Sequence, residues 1–167
     1  INFSVFLTTS DLQFGFKKNV GCSDALFTLK TTVNHFVNNG CTVTLSALDI
    51  SKAFDKVSHF AVYSSLLKRK APRCLIDLLI CWYSKCQVYV RWNGAVSAMF
   101  NIVAGVRQGG VLSPALFAIY IEDVITNLKI LNYGCVINGQ FLGCFLYADD
   151  IILSVSYTHL TLPTTSR

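Results

Sequence analysis

The sequence predicts an α+β fold in which an antiparallel sheet is backed by helices. Three observations support this prediction: segments with helical spacing alternate with short segments rich in β-branched residues, Asn93-Gly94 is a hairpin-turn pair, and no internal repeat is present. The 167 residues are enough for one domain. They are 53% hydrophobic and 14% charged, yet no apolar run reaches the roughly 18 residues of a membrane span. The composition therefore indicates a buried core.

The first half of the chain is predicted to place a strand between helices. Ser23 is a candidate N-cap for a helix that ends near Asn38-Asn39-Gly40. Cys41–Asp49 alternates and is rich in β-branched residues, so it predicts a strand. Residues 51–70 have the spacing of a helix that starts directly after this strand, and Pro72 opens another helix.

The second half is predicted to contain a hairpin, a glycine-bracketed loop and a long helix. Asn93-Gly94 marks the turn of the hairpin. The loop covers residues 105–110, and the helix that follows has Ser113 as its candidate N-cap and Pro114 in its first turn. The last predicted element is an extended pair of strands around two adjacent aspartates.

Cysteine and charge patterns narrow the class of protein only modestly. The seven cysteines are an odd number without a C-x-x-C pair, which favours buried free thiols over a disulfide framework or a zinc site. The formal net charge of +5 is compatible with a polyanionic partner. Local groups of lysine and arginine fit a solvated face as well as they fit phosphate contacts.

Three aspartates carry the strongest chemical indication. Asp49 ends the predicted strand, where it is either a helix N-cap or a group facing a cleft. Asp149 and Asp150 lie between two apolar segments, with no lysine or arginine within a few residues. Buried carboxylates need a cation, and a set without Cys or His favours Mg²⁺ or Mn²⁺. If the strands are neighbours, the sequence predicts a two-metal site for phosphoryl transfer.

Four segments carry a family resemblance. "YADD" (Tyr147–Asp150) occurs together with "LDISKAFDKVSH" (Leu48–His59), "GVRQGGVLSPALFAIYI" (Gly105–Ile121) and "QFGFKKNVGCSDALFTL" (Gln13–Leu29). In this order and spacing they resemble the motifs of reverse transcriptases. The residues within these motifs are most similar to those of non-LTR (LINE-type) retrotransposon enzymes, with group II intron and retron enzymes as the competing relatives.

The resemblance implies a polymerase palm with part of the fingers, and a thumb that is missing. Residues 1–154 are the expected partial reverse transcriptase domain, and this fragment by itself is expected to be inactive. Residues 155–167 change abruptly to Thr, Ser and Pro and resemble a translated sequencing adapter. They are expected to be a non-native tail, with a genuine divergent tail as the alternative.

The resemblance also implies residue roles around the metal ions. Asp49 and Asp149 would be the principal ligands of two Mg²⁺ or Mn²⁺ ions, with Asp150 as the third carboxylate. Ile50 falls where backbone amides approach the nucleotide triphosphate. Phe54 falls on the aromatic position that lies under the incoming sugar and excludes a 2′-hydroxyl, although a Phe on an amphipathic helix is more often simply core.

Further roles concern nucleic acid. Gln108 would contact the nucleotide and template, and Gly109 would permit close backbone approach. Arg107, Lys17 and Lys18 would meet phosphates. The implied partners are an RNA template, a DNA primer and deoxyribonucleoside triphosphates, with no membrane. The implied location is intracellular, in the nucleus or in a cytoplasmic ribonucleoprotein.

Two further functions remain open at this point. An inactive retroelement remnant could retain only nucleic-acid binding. An unrelated metal phosphohydrolase could use the three aspartates, but it would need neither Gln108 nor Phe54.

Overall fold

The computed structural model of the protein describes the backbone of residues 3–158 and the side chains of residues 5–157. The chain divides into two compact units. The first unit contains the segment up to Thr9 together with Lys52–Glu122, and the second contains Ser10–Ser51 and the segment from Asp123 onward. Each unit is described by itself below.

Helices and antiparallel strands are mixed along the chain, as the sequence predicts. The helices are α1 (Cys22–Asn38), α2 (His59–Lys68), α3 (Arg73–Ser84) and α4 (Ser113–Leu131), with short 3-10 helices at Phe3–Leu7 and Phe54–Lys56. The strands are β1 (Cys41–Asp49), β2 (Gln87–Val88), β3 (Arg91–Trp92), β4 (Ala95–Val96), β5 (Phe100–Asn101), β6 (Val136–Ile137), β7 (Gln140–Phe141), β8 (Cys144–Tyr147) and β9 (Asp150–Thr158). The α+β prediction is confirmed.

The second unit is organised by a three-stranded antiparallel sheet in the order β1-β9-β8. The β1–β9 register starts with Cys41 opposite Thr158 and finishes with Asp49 opposite Asp150. The predicted strand at Cys41–Asp49 is confirmed, and so is the hairpin around the paired aspartates. β-branched and aliphatic residues favour the extended conformation of both long strands.

A segment close to the N-terminus extends this sheet. The amide of Leu146 donates to the carbonyl of Leu12, and the amide of Phe14 donates to the carbonyl of Leu146, both at 2.8 Å. Gln13 forms an isolated parallel bridge with Leu146. The sequence predicts no strand here, because a segment of three residues has no periodicity from which a strand could be recognised.

Helix α1 packs on β1 and β8. Its N-cap is Gly21, so the predicted cap at Ser23 is wrong by two residues. The carboxylate of Asp24 accepts a hydrogen bond of 2.7 Å from the amide of Gly21. This reciprocal contact satisfies an amide that the helix itself leaves unpaired, and it places the helix start before Ser23.

In the first unit, the helix predicted for residues 51–70 is interrupted. The chain makes a turn and the short 3-10 helix, and α2 begins only after Ser58, whose hydroxyl oxygen accepts from the amide of Ala61 at 3.3 Å. The amides of Val106 and Gly105 donate to the carbonyls of Phe54 and Val57, both at 2.8 Å. These carbonyls are therefore unavailable for a continuous helix, which local spacing could not show.

The rest of the first unit follows the prediction more closely. Pro72 precedes α3, and Asn93-Gly94 turns the β3–β4 hairpin with φ values of 46° and 80°. Two consecutive positive φ values are typical of a type I′ turn, which Asn-Gly favours. The buried side chains at the centre of this unit include Val57, Leu66, Ile76, Leu79 and Phe117.

The burial of the cysteines agrees with the sequence prediction only in part. All seven cysteines are free, but only Cys135 and Cys144 are buried, so the expectation of buried thiols is wrong for the others. Among residues 3–158, no helix has both the length and the apolar character that a membrane span requires.

The predicted boundary at residue 154 falls within a strand. Val155–Thr158 continue β9 opposite Cys41–Thr44. Residues 159–167 of the predicted tail lie outside the described residues, and the origin of the tail stays a prediction.

Candidate active site

A row of three side chains crosses the end of the sheet in the second unit, in the order Asp49, Asp150 and Tyr147. Asp150 pairs with Asp49 on one side and with Tyr147 on the other. Residues that are directly opposite each other share a face, with Cβ atoms about 4.5–5.5 Å apart. Asp49 and Asp150 are exposed and Asp149 is half-buried. The expectation of buried carboxylates is therefore wrong, because this end of the sheet opens to solvent.

The electrostatics of the row favour a bound cation. Like charges directly opposite each other destabilise a strand pair. Within the described part of the chain, none of the three aspartates is ion-paired with lysine, arginine or histidine. The two exposed carboxylates, Asp49 and Asp150, thus have no ion-pair partner among the side chains of residues 5–157.

Asp49 and Asp150 together could provide two ligands of a divalent cation, but the described residues do not form a complete ligand set. No group of three or more His, Cys, Asp or Glu side chains in residues 3–158 is gathered closely enough to hold a metal ion. Mg²⁺, however, is usually bound through one or two carboxylates, waters and substrate phosphates. Asp49 and Asp150 would supply those two carboxylates, and a nucleotide would supply the phosphates.

Asp149 occupies the turn that links β8 to β9. Its neighbour Ala148 has a φ of 58°, and Asp149 does not have a positive φ. A positive φ at the first central residue alone is the pattern of a type II′ turn, which favours glycine there. Ala148 is therefore strained, and strain of this kind persists only where the surrounding structure imposes it.

The N-terminal segment packs directly against this turn. A Cβ atom added to Gly15 would lie 2.3 Å from the backbone nitrogen of Ala148, so only glycine fits there. The side-chain oxygen of Gln13 accepts a hydrogen bond of 3.0 Å from the amide of Gly15. Sequence analysis included both residues in the family motif Gln13–Leu29 but gave neither of them a role. The available signal was a lone glutamine in the apolar segment "LQFGF" (Leu12–Phe16).

The other predicted residues of the second unit differ in accessibility. Lys17 donates from its ammonium group to the carbonyl of Ser10 at 2.6 Å, and it lies 4.0 Å from the carboxylate of Asp11. Lys18 is exposed, whereas Ile50 is half-buried at the end of β1. Local contacts therefore hold Lys17 in place more firmly than they hold Lys18.

In the first unit, Gln108 and Gly109 form the centre of a tight turn. The amide of Gly110 donates to the carbonyl of Arg107 at 2.9 Å, and Gly109 has a φ of 80°. This is a type II turn, which requires a residue such as glycine at its third position. Arg107, Gln108 and Gly109 are all exposed.

Ser113 supports this turn rather than capping α4. The helix already includes Ser113, and its hydroxyl donates to the carbonyl of Arg107 at 2.6 Å. The predicted N-cap role is therefore wrong by one residue, because the carbonyl of Leu112 already accepts the first helical bond, from the amide of Leu116. Together with the turn bond, the Ser113 hydroxyl satisfies the Arg107 carbonyl twice.

Phe54 is neither fully core nor fully exposed. Its half-buried ring stacks on the buried ring of Phe117, with a centroid separation of 5.0 Å and an interplanar angle of 21°. Its carbonyl accepts from the amide of Val106. The aromatic ring is therefore held in one orientation by a core residue and by the backbone.

A cavity of ≈ 630 Å³ in the first unit adjoins Gln108. Trp82, Tyr83, Lys85 and Arg107 contribute to its lining. Burial raises the pKa of Tyr83, with smaller contributions from the nearby Tyr63 and Cys86. Sequence analysis did not predict that Tyr83 and Lys85 lie beside Gln108, because they approach it only through tertiary packing.

Comparison with known proteins shows the family of the chain. Residues 4–161 match the family model described as "Reverse transcriptase (RNA-dependent DNA polymerase)". The chain therefore belongs to the reverse transcriptase family.

Curated relatives include two proteins from mobile elements of Drosophila melanogaster. The Pol polyprotein of type-2 retrotransposable element R2DM is 28% identical over 84% of this chain and 13% of its own length. The RNA-directed DNA polymerase from mobile element jockey is 28% identical over 83% of this chain and 14% of its own length. The resemblance to non-LTR retrotransposon enzymes is confirmed. The chain spans only about a seventh of these relatives.

Proposed function

We propose that this chain is part of the catalytic palm of an RNA-directed DNA polymerase. The polymerase would join deoxyribonucleoside triphosphates to the 3′-hydroxyl of a DNA primer on an RNA or DNA template. One observation carries the proposal. Asp49 and Asp150 face each other at the end of adjacent strands without an ion-pair partner among the described residues, and Asp149 lies in the adjoining turn.

The aspartates have a common role in this proposal. Bound Mg²⁺ or Mn²⁺ would stabilise the charge that develops on the attacking and leaving oxygens. Asp49 and Asp150 would hold one side of the metal site, and the Tyr147–Asp150 turn would present Asp149 as a further carboxylate. Ile50, directly after Asp49, would offer its backbone amide to the triphosphate.

The residues of the first unit would recognise the nucleotide. Phe54, held flat on Phe117, would be a rigid plate that leaves no room for a 2′-hydroxyl. Gln108 and Gly109 are exposed at the tip of a firm turn, where a side-chain amide and an open backbone can meet a nucleotide and template. Arg107, Lys18 and, less freely, Lys17 would contact phosphates.

The first test is primer extension by a protein of the relatives' length that carries this segment. Asp49→Asn, Asp149→Asn and Asp150→Asn should each lower extension by roughly a hundredfold or more, because oriented charge in the transition state is lost. Primer–template affinity should stay within about threefold, because it depends mainly on basic contacts.

The matched control is Asp77→Asn. It removes the same charge from an exposed carboxylate whose hydrogen-bond partner is Arg73, at 2.8 Å. We expect it to retain full extension.

A parallel Mn²⁺ titration, followed by electron paramagnetic resonance of the free ion, should show weaker binding for Asp49→Asn and Asp150→Asn. Extension at the unsubstituted rate by the Asp149→Asn variant would refute the assignment.

The second test concerns sugar discrimination. Phe54→Val shortens the side chain at the proposed plate, so the same enzyme should use ribonucleotides about ten- to a hundredfold more readily relative to deoxyribonucleotides. The measurement is the ratio of kcat/KM for the two substrates. Phe100→Val, at an exposed aromatic residue of β5, is the control. A ratio that does not change for Phe54→Val would mean that Phe54 only packs against Phe117.

A further inference from the structure

Gln13 is a fully buried polar residue with an incomplete set of hydrogen bonds. Its side chain has 0% exposure, and its oxygen accepts from the amide of Gly15 at 3.0 Å. Its side-chain nitrogen has no hydrogen-bond partner within the described part of the chain. Most buried polar atoms in proteins are satisfied, so this exception needs an explanation.

Stability alone does not account for a glutamine at this position. A buried donor without a partner destabilises the folded state, whereas an apolar side chain of the same length would fill the space without that cost. What the amide adds is an acceptor for one particular backbone N–H, that of Gly15. The position therefore depends on the geometry of Gly15.

Gly15 in turn bears on the turn that carries Asp149. Its Cα is so close to Ala148 that an added Cβ would lie 2.3 Å from the Ala148 nitrogen and 3.1 Å from its Cα. Ala148 has the strained φ of 58°. The flanking residue Phe14 is hydrogen-bonded to Leu146, two residues before Ala148. The hydrogen bond between the Gly15 amide and the Gln13 side chain therefore supports the backbone that packs against the strained turn.

We propose that Gln13 is a positioning residue for Asp149. By holding the amide of Gly15, its side-chain oxygen keeps the Gly15 backbone against Ala148 and so keeps the turn in one conformation. The catalytic use of Asp149 rests on the proposed function, but the conformational part of the proposal can be measured without metal or substrate.

The experiment measures backbone order in the 167-residue chain by ¹⁵N relaxation. In the unsubstituted chain, the order parameters of Ala148 and Asp149 should be about 0.85, which is typical of a rigid backbone. Gln13→Met keeps the length but removes the acceptor, and it should lower both values below about 0.6. Gln13→Glu keeps an acceptor oxygen, and when protonated by burial it should retain the order.

Ser154→Ala is the matched control. Ser154 has 0% exposure, and its hydroxyl donates to the carbonyl of Leu142 at 2.6 Å, so the variant also loses a buried hydrogen bond in this unit. It should leave Ala148 and Asp149 ordered. If Gln13→Met does not fold, Gln13→Leu, which also lacks an acceptor for the amide of Gly15, takes its place with the same expectation.

The outcomes separate this inference from the proposed function. Unchanged order in Gln13→Met, or an equal loss of order in Ser154→Ala, would overturn the positioning role. In primer extension, Gln13→Met should lower kcat about tenfold or more with little change in KM, and Gln13→Glu should restore it. If the unsubstituted polymerase does not extend primers, the proposed function fails, while the order parameters still decide whether Gln13 holds the turn.

Discussion

The two tight turns that carry predicted site residues reach positive φ values by different means. The Arg107–Gly110 turn of the first unit uses Gly109, at a φ of 80°, and no atom lies within 4 Å of an added Cβ. The Tyr147–Asp150 turn of the second unit uses Ala148, at a φ of 58°. The first turn has the residue that its backbone requires, whereas the second has a residue that resists its own conformation.

The difference shows which turn depends on its surroundings. The Arg107–Gly110 turn is stable locally, through its own hydrogen bond and the hydroxyl of Ser113. The Tyr147–Asp150 turn is imposed from outside, by the paired strands β8 and β9 and by the close backbone of Gly15. Under the proposed function, such a rigid setting would hold the carboxylate of Asp149 in a defined position.

The largest loss of stability should come from adding a methyl group at Gly15, where the Ala148 backbone leaves no room for one. Gly15→Ala forces a methyl group against the Ala148 backbone, and overpacking of this kind costs about 1–3 kcal/mol of unfolding free energy. Chemical denaturation of the chain would measure this loss. Gly21→Ala is the control, because an added Cβ there meets only the Asp24 carboxylate, at 3.8 Å. Equal losses in the two variants would show that the contact with Ala148 is unimportant.

Smaller and opposite effects should come from exchanging the residues of the two turns. Gly109→Ala places a Cβ in a left-handed conformation and should cost about 1–2 kcal/mol. Ala148→Gly relieves the same strain, but glycine loses more entropy on folding, so a gain below about 1 kcal/mol is expected. The same denaturation experiment compares both variants. A loss for Ala148→Gly as large as that for Gly109→Ala would contradict the account of strain at Ala148.

Elements with strong local patterns were predictable from the sequence. The strand at Cys41–Asp49, the Asn93-Gly94 turn and the hairpin around the aspartates all formed where the spacing and turn chemistry indicated. The family followed from four short motifs, whose order and spacing resemble those of reverse transcriptases. Local sequence is sufficient in these cases because the interactions that decide them lie within a few residues.

Other features were decided only by tertiary contacts. The helix predicted for residues 51–70 is broken because the amides of Gly105 and Val106 take carbonyls from residues about fifty positions earlier. The exposure of Asp49 and Asp150 depends on where the sheet ends.

The support of the Asp149 turn by Gln13 and Gly15 joins residues about 130 positions apart along the chain. The sequence by itself therefore determined the strand at Cys41–Asp49, the strand pair around the aspartates, the Asn93-Gly94 turn and the family motifs. The tertiary structure decided which backbone groups and side chains meet, because such distant partners leave no periodic trace in the sequence.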